Sequence, residues 1–174
     1  NAVFEDTFTG WRDKLILELL YSTGTRLSEI INLKENNINL VNNTIKVIGK
    51  RNKERIIPLS KSMMAVIDGY KNSKKRSISK NDDEFLIVTE TGDQCYPMLI
   101  YRTVKKYLNL FTTIEKRSPH VLRHTFATHL LNKGAELNAV KDLLGHSSLA
   151  ATQVYTHNSM DKLKSAFDQA HPKA

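Results

Sequence analysis

The β-prone runs of this sequence crowd into one window: Asn37 to Leu40, Thr44 to Ile48 and Glu54 to Leu59, separated by an Asn-rich and a Lys-rich turn. Runs this short, joined by turns this tight, pair with their immediate neighbours, because a parallel pair needs a crossover of about a dozen residues or more. The window therefore predicts a three-stranded antiparallel sheet. Its second turn, Lys50 to Lys53, projects a cluster of positive charge. Most of the chain around the window is patterned for helix. The fold class is α+β, mainly α, with one small sheet and no internal repeat.

Apolar residues Trp11, Leu15, Ile16, Leu19 and Leu20 recur at helical spacing, and Gly24 is a stop signal, so a helix over Trp11 to Tyr21 ends just before Arg26. A shorter helix carries Leu27, Ile30 and Ile31. Lys61 to Tyr70 reads as helix, whereas Lys71 to Asp83 is polar, Lys/Ser-rich and almost without apolar residues, which predicts a mobile surface loop. Between Pro97 and Phe111, Ile100, Val104, Leu108 and Phe111 share a helical face. Ser118 as N-cap and Pro119 in the first turn open a helix that runs to Lys133 before Gly134. Leu137 to Leu144 forms another, closed by Gly145, and the last helices cover Ala150 to Tyr155 and Met160 to Gln169.

The 174 residues suit one domain, and 26 Lys and Arg against 18 Asp and Glu leave a net charge of +8. That excess points to a polyanionic partner and says nothing of the fold. Cys95 is the single cysteine, so no internal disulfide can form, as suits a reducing cytosol. No apolar run reaches the roughly 18 residues of a membrane span, and no basic-then-apolar signal segment opens the chain. The expectation is a soluble, cytoplasmic protein with no membrane partner. Asn1 in place of Met reads as a piece of a longer chain.

Four short elements stand out: Thr23-Gly24-Thr25-Arg26, the strand-turn Ile48-Gly49-Lys50, the box His120-Val121-Leu122-Arg123, and Leu144-Gly145-His146 with Tyr155 nine residues after the histidine. Each is weak alone. In this order and at these spacings the chain resembles the catalytic domain of the tyrosine recombinase (phage integrase) family. The stretches GKRNKERIIPLS from Gly49, SPHVLRHTFATHLL from Ser118 and TQVYTH from Thr152 resemble the Xer branch in particular, whose members resolve chromosome dimers. The ending Ala170-His171-Pro172-Lys173-Ala174 does so too.

The resemblance implies a role for each residue. Phosphoryl transfer is mostly positioning and neutralisation of charge on the phosphoryl oxygens. Arg26 and Arg123 supply this through guanidinium forks that Lys cannot copy, and His146 donates a further hydrogen bond. Tyr155 attacks phosphorus to give a 3′-phosphotyrosyl bond and a free 5′ hydroxyl, with His120 as general base and Lys50 as general acid. No ATP, metal or other cofactor is implied. The implied partners are double-stranded DNA and other recombinase protomers, in a tetramer on DNA that exchanges C-terminal helices. Met160, Leu163 and Phe167 share a face of the last helix, which either docks on a neighbour in this way or packs on its own domain. Family members also carry an N-terminal helical domain to which nothing here corresponds, so this stretch alone is expected to bind DNA more weakly.

Ordinary readings stand beside these. Arg26 and Glu29 are spaced for a surface ion pair, or for a pair in which Glu29 orients Arg26. Arg51 and Lys53 compete with Lys50 for the acid, and only the resemblance selects Lys50. His124 and His129 read as structural. His120 and His124 have the spacing of a helical zinc pair, but Val121 stands where a metalloprotease needs Glu, and no third ligand is evident. The rival functions are a DNA-binding module without catalysis, a type IB topoisomerase, and an integrase of a mobile element.

Overall fold

A computed structural model describes residues 4–79, 84–111 and 118–145. Helix α1, Phe8–Thr23, starts at Thr7, whose Oγ1 accepts a hydrogen bond from the Gly10 amide at 3.1 Å. It ends at Gly24, whose left-handed φ of 59° few other residues adopt without cost. Leu15, Ile16, Leu19 and Leu20 are all 0 % exposed, because α1 is the central helix. It packs against α3 (Lys61–Ser77), α4 (Pro97–Phe111) and α5 (Pro119–Asn132). Burying such side chains contributes about 1.5–3 kcal/mol apiece, which makes α1 the organiser of the core.

The short helix α2, Leu27–Ile31, leads into the sheet of β1 (Ile38–Asn39), β2 (Thr44–Ile48) and β3 (Glu54–Pro58). The strand order is β1-β2-β3 and both pairings are antiparallel, as the sequence window predicts. Strand β1 is shorter than the Asn37–Leu40 run. Asn39 Oδ1 accepts from the amides of Val41 and Asn42 at 3.0 and 2.9 Å and turns the chain early. The register pairs Ile45 with Ile57 and Val47 with Arg55, so one face of the sheet buries three apolar residues and one arginine. Helix α6, Leu137–Leu144, packs against α5 and β3 and ends at Gly145 with φ 64°.

One expectation is corrected. Lys71 to Ser77 is not loop but the second half of α3; residues 80–83 of the predicted loop lie outside the described residues. Polar composition hid the anchors. Lys74 is buried, and its ammonium donates to Glu35 Oε1 at 2.8 Å and to the Phe85 carbonyl at 3.0 Å, while Lys71 pairs with Glu35 Oε2 at 2.8 Å. Burial alone would raise the Glu35 carboxyl, but the two lysines hold it below its ordinary range. Lys74, Lys75 and Arg76 also occupy the last turn, where the helix dipole favours cations. Pro119 stands at the first position of α5, and Ser118 occupies the N-cap without a side-chain capping bond. The helices expected over Ala150 to Tyr155 and Met160 to Gln169 fall outside the described residues.

Candidate active site

Two helix C-termini, those of α1 and α6, meet beside the sheet, and three arginines converge on their last carbonyls. Such carbonyls have no partner within their own helix. Arg55 Nε donates to the Leu143 carbonyl at 2.8 Å, Arg123 Nη2 to the Leu144 carbonyl at 2.7 Å and Arg26 Nη2 to the Gly145 carbonyl at 3.2 Å. Three successive carbonyls are thus each taken by a different guanidinium. Arg123 Nη1 also donates to the carbonyl of Gly24, so that one side chain ties the ends of α1 and α6 together. The negative ends of both helix dipoles offset part of the charge gathered here.

Glu29 is the counter-charge. Its carboxylate, 1 % exposed, receives Arg55 Nη1 at 2.5 Å and Nη2 at 2.8 Å in a two-pronged pair, and Arg26 Nη1 at 3.0 Å. It also accepts from the Arg26 amide at 2.7 Å, capping α2. Burial alone would raise this carboxyl; the hydrogen bonds and charge of Arg55, then those of Arg26, outweigh it and hold the group below its usual range. Burial, and after it the charges of Arg26 and Arg55, pushes Arg123 down to about 10, with Glu29 opposing. It therefore stays protonated at neutral pH in a field that favours an anion. Three guanidiniums against one carboxylate leave 3 − 1 = +2 in a space bounded by helix ends. Arg26 is 35 % exposed, which leaves the cluster open to solvent on its side.

Gly24 fits this junction for a second reason. A Cβ there would lie 2.5 Å from Phe126 Cδ1 and 2.8 Å from Leu144 Cδ2, so any side chain would push α5 and α6 off the end of α1. Around it, Thr23 Oγ1 donates to the Leu19 carbonyl at 2.5 Å and accepts from the Thr25 amide at 3.3 Å, fixing the buried step that delivers Arg26.

Of the predicted site residues, the structure brings Arg26 and Arg123 together. Lys50 is exposed in the β2–β3 turn, whose base adjoins the cluster: a Cβ on Gly49 would stand 3.1 Å from Glu29 Oε1 and 3.8 Å from Arg26 Nη1. The amide of Gly49 closes that turn on the Lys53 carbonyl at 2.7 Å, with Arg51 and Asn52 both at φ 60°. His120 is exposed in the first turn of α5, one helical turn before Arg123. His146 directly follows Gly145, and it and Tyr155 lie outside the described residues. Glu29 pairs with Arg26, as one reading of their spacing has it, but as a buried group and not a solvated one. His124 is exposed, and His129 Nε2 is buried without a hydrogen-bond partner among the described residues. No group of three potential metal ligands occurs among the described residues.

Sequence reading missed Arg55. The signal was strand parity: Arg55, Ile57 and Leu59 alternate onto the core face, and an arginine there must find a buried carboxylate.

A mainly helical domain with a small three-stranded antiparallel sheet is the fold of the tyrosine recombinase catalytic domains. The model of the phage integrase family matches residues 2–162, and the chain belongs to that family. It is 42% identical over 172 residues to the tyrosine recombinase XerC of Chlorobaculum parvum, covering 96% of this chain and 51% of that protein. It is equally 42% identical over 167 residues to the tyrosine recombinase XerD of Staphylococcus haemolyticus, covering 95% and 56%. The chain spans about half the length of these curated relatives. Among solved structures, XerA recombinase superposes with a TM-score of 0.70 at 30% identity, covering 95% of this chain and 58% of that one. XerH site-specific recombinase, bound to palindromic difH substrate in a post-cleavage complex, gives 0.72 at 28% identity, covering 91% and 46%.

Proposed function

We propose that this chain forms the catalytic domain of an Xer-like site-specific recombinase, which cleaves and rejoins DNA strands in the cytoplasm. The observation that carries the reading is the convergence of Arg26 and Arg123 at the end of α6, one residue before His146. A phosphodiester set against this cluster exchanges main-chain carbonyls for phosphate oxygens as partners of the guanidiniums, and relieves the charge crowding around Arg123. The likeness to XerC and XerD favours the housekeeping branch over a mobile-element integrase.

In this reading the Tyr155 hydroxyl attacks phosphorus, and the bond to the 5′ oxygen breaks as the tyrosyl bond forms. His120 accepts the tyrosine's proton and Lys50 delivers one to the departing 5′ oxygen, so charge and protons balance. The ester keeps the bond energy, and attack by an incoming 5′ hydroxyl reverses the step and releases Tyr155. His146 donates to the same phosphate. The partners are double-stranded DNA and further protomers, in a tetramer on DNA coupled through exchange of the C-terminal helix that bears Met160, Leu163 and Phe167.

The test is the polarity of cleavage. On a nicked duplex labelled at either strand end, the full-length protein is expected to retain the label upstream of the cut, joined through a 3′ phosphate, and to release a 5′-hydroxyl end. Absence of any adduct, or attachment through the 5′ end, overturns the reading.

A further inference from the structure

Arg55 stands outside every role the recombinase chemistry assigns, yet all three of its guanidinium nitrogens are committed at the junction. Its Nη1 and Nη2 hold both oxygens of Glu29, and its Nε holds the Leu143 carbonyl. Its side chain also lies under Gly145: a Cβ there would stand 3.2 Å from both Arg55 Cδ and Nη1. At 5 % side-chain exposure it has no surface to offer DNA. Glu29, so fixed, takes the Arg26 amide and guanidinium, and the Leu143 carbonyl is three residues from His146. β3, on which Arg55 stands, is also the strand that receives the Lys50 turn.

We infer that Arg55 is a positioning residue of the recombination reaction: one guanidinium that locks the Lys50-bearing sheet, the Glu29–Arg26 pair and the end of α6 into a single geometry. This rests on the recombinase reading above. The planar fork matters, because the three bonds leave from three different nitrogens in fixed coplanar directions, and the single ammonium of Lys cannot reproduce them. Without the fork, Glu29 is left to Arg26 alone. The Arg26 guanidinium then turns inward to satisfy a buried carboxylate, and the α6 end is free to shift. A displacement of about 1 Å at a phosphate clamp costs on the order of 10²-fold in rate.

The experiment compares the full-length wild type with Arg55→Lys on a nicked suicide duplex, reading single-turnover adduct formation at saturating DNA beside the DNA dissociation constant and its salt slope. The expected result is a cleavage rate lower by roughly 10- to 100-fold, with the dissociation constant and salt slope held. Arg55→Lys combined with Glu29→Gln should be no slower than the slower single variant, since both act on one contact. Should Arg55→Lys not fold, the neutral pair Arg55→Gln with Glu29→Gln takes its place, because it removes the buried charge together with its partner, and the same loss of rate is expected. A wild-type rate at saturation in whichever variant folds overturns the inference. So does weaker binding with the salt slope reduced by about one and the saturated rate intact, which marks a phosphate ligand instead. If the wild type itself forms no adduct, the recombinase reading fails; if only the Arg55 variant matches wild type, the recombinase reading stands and the positioning role falls.

Discussion

Replacing Gly24 with Ala attacks the junction where the ends of α1 and α6 meet against α5. Two costs can be worked out separately. The left-handed φ of 59° costs a residue with a Cβ roughly 1–2 kcal/mol. The Cβ would also sit 2.5 Å from Phe126 Cδ1 and 2.8 Å from Leu144 Cδ2, both carried on buried side chains of packed helices, and overpacking of this kind costs about 1–3 kcal/mol. Gly134→Ala isolates the first cost, since φ there is 87° and nothing lies within 4 Å of the added Cβ. Urea unfolding followed by circular dichroism should therefore find Gly24→Ala less stable than wild type by roughly 2–5 kcal/mol, and Gly134→Ala by only about 1–2 kcal/mol. In Tm, each kcal/mol corresponds to about 2–4 °C for a chain of this size. Equal losses at the two glycines would refute the packing argument, because only Gly24 has neighbours to displace.

Two further predictions concern charge. Glu29 titrates below its ordinary value of 4.5 because its arginine bonds outweigh burial, so its stabilising contribution is complete above about pH 4.5 and is lost as pH falls through the depressed value. Glu29→Gln should be less stable at neutral pH and should lose less on acidification, read as unfolding free energy from about pH 7 to 3; parallel curves would contradict this. Lys50→Ala should slow cleavage by roughly 10² to 10⁴-fold on ordinary DNA and recover on a substrate with sulfur as the bridging 5′ atom, which leaves without a proton, whereas Arg26→Ala stays slow on both. Rescue of Lys53→Ala or a His120 variant in its place would move the acid to another residue.

The parts of the fold set by local physics were legible in the sequence. The β-prone window, the glycine stops at Gly24 and Gly145, and Pro119 at a helix start all act within a few residues, and the structure has each of them where the pattern does. What escaped depends on partners distant in the chain. The second half of α3 is held by Glu35 and the Phe85 carbonyl, which no local pattern of Lys and Ser announces. Arg55 was hidden in the same way: its partners Glu29 and Leu143 are 26 and 88 residues away, and a strand rule that counts only apolar alternation passes over a buried arginine. The family resemblance singled out Arg26 and Arg123, but their meeting at the α6 carbonyls is a tertiary fact.

The central claim, that this arginine cluster serves an attack by Tyr155, is tested most directly by the nucleophile itself. Tyr155→Phe removes one hydroxyl and leaves the guanidiniums untouched. On a nicked suicide duplex the variant is predicted to bind DNA with wild-type affinity and to form no covalent adduct, while the wild type accumulates one. An adduct in the Tyr155→Phe variant at anything near the wild-type rate would contradict the account.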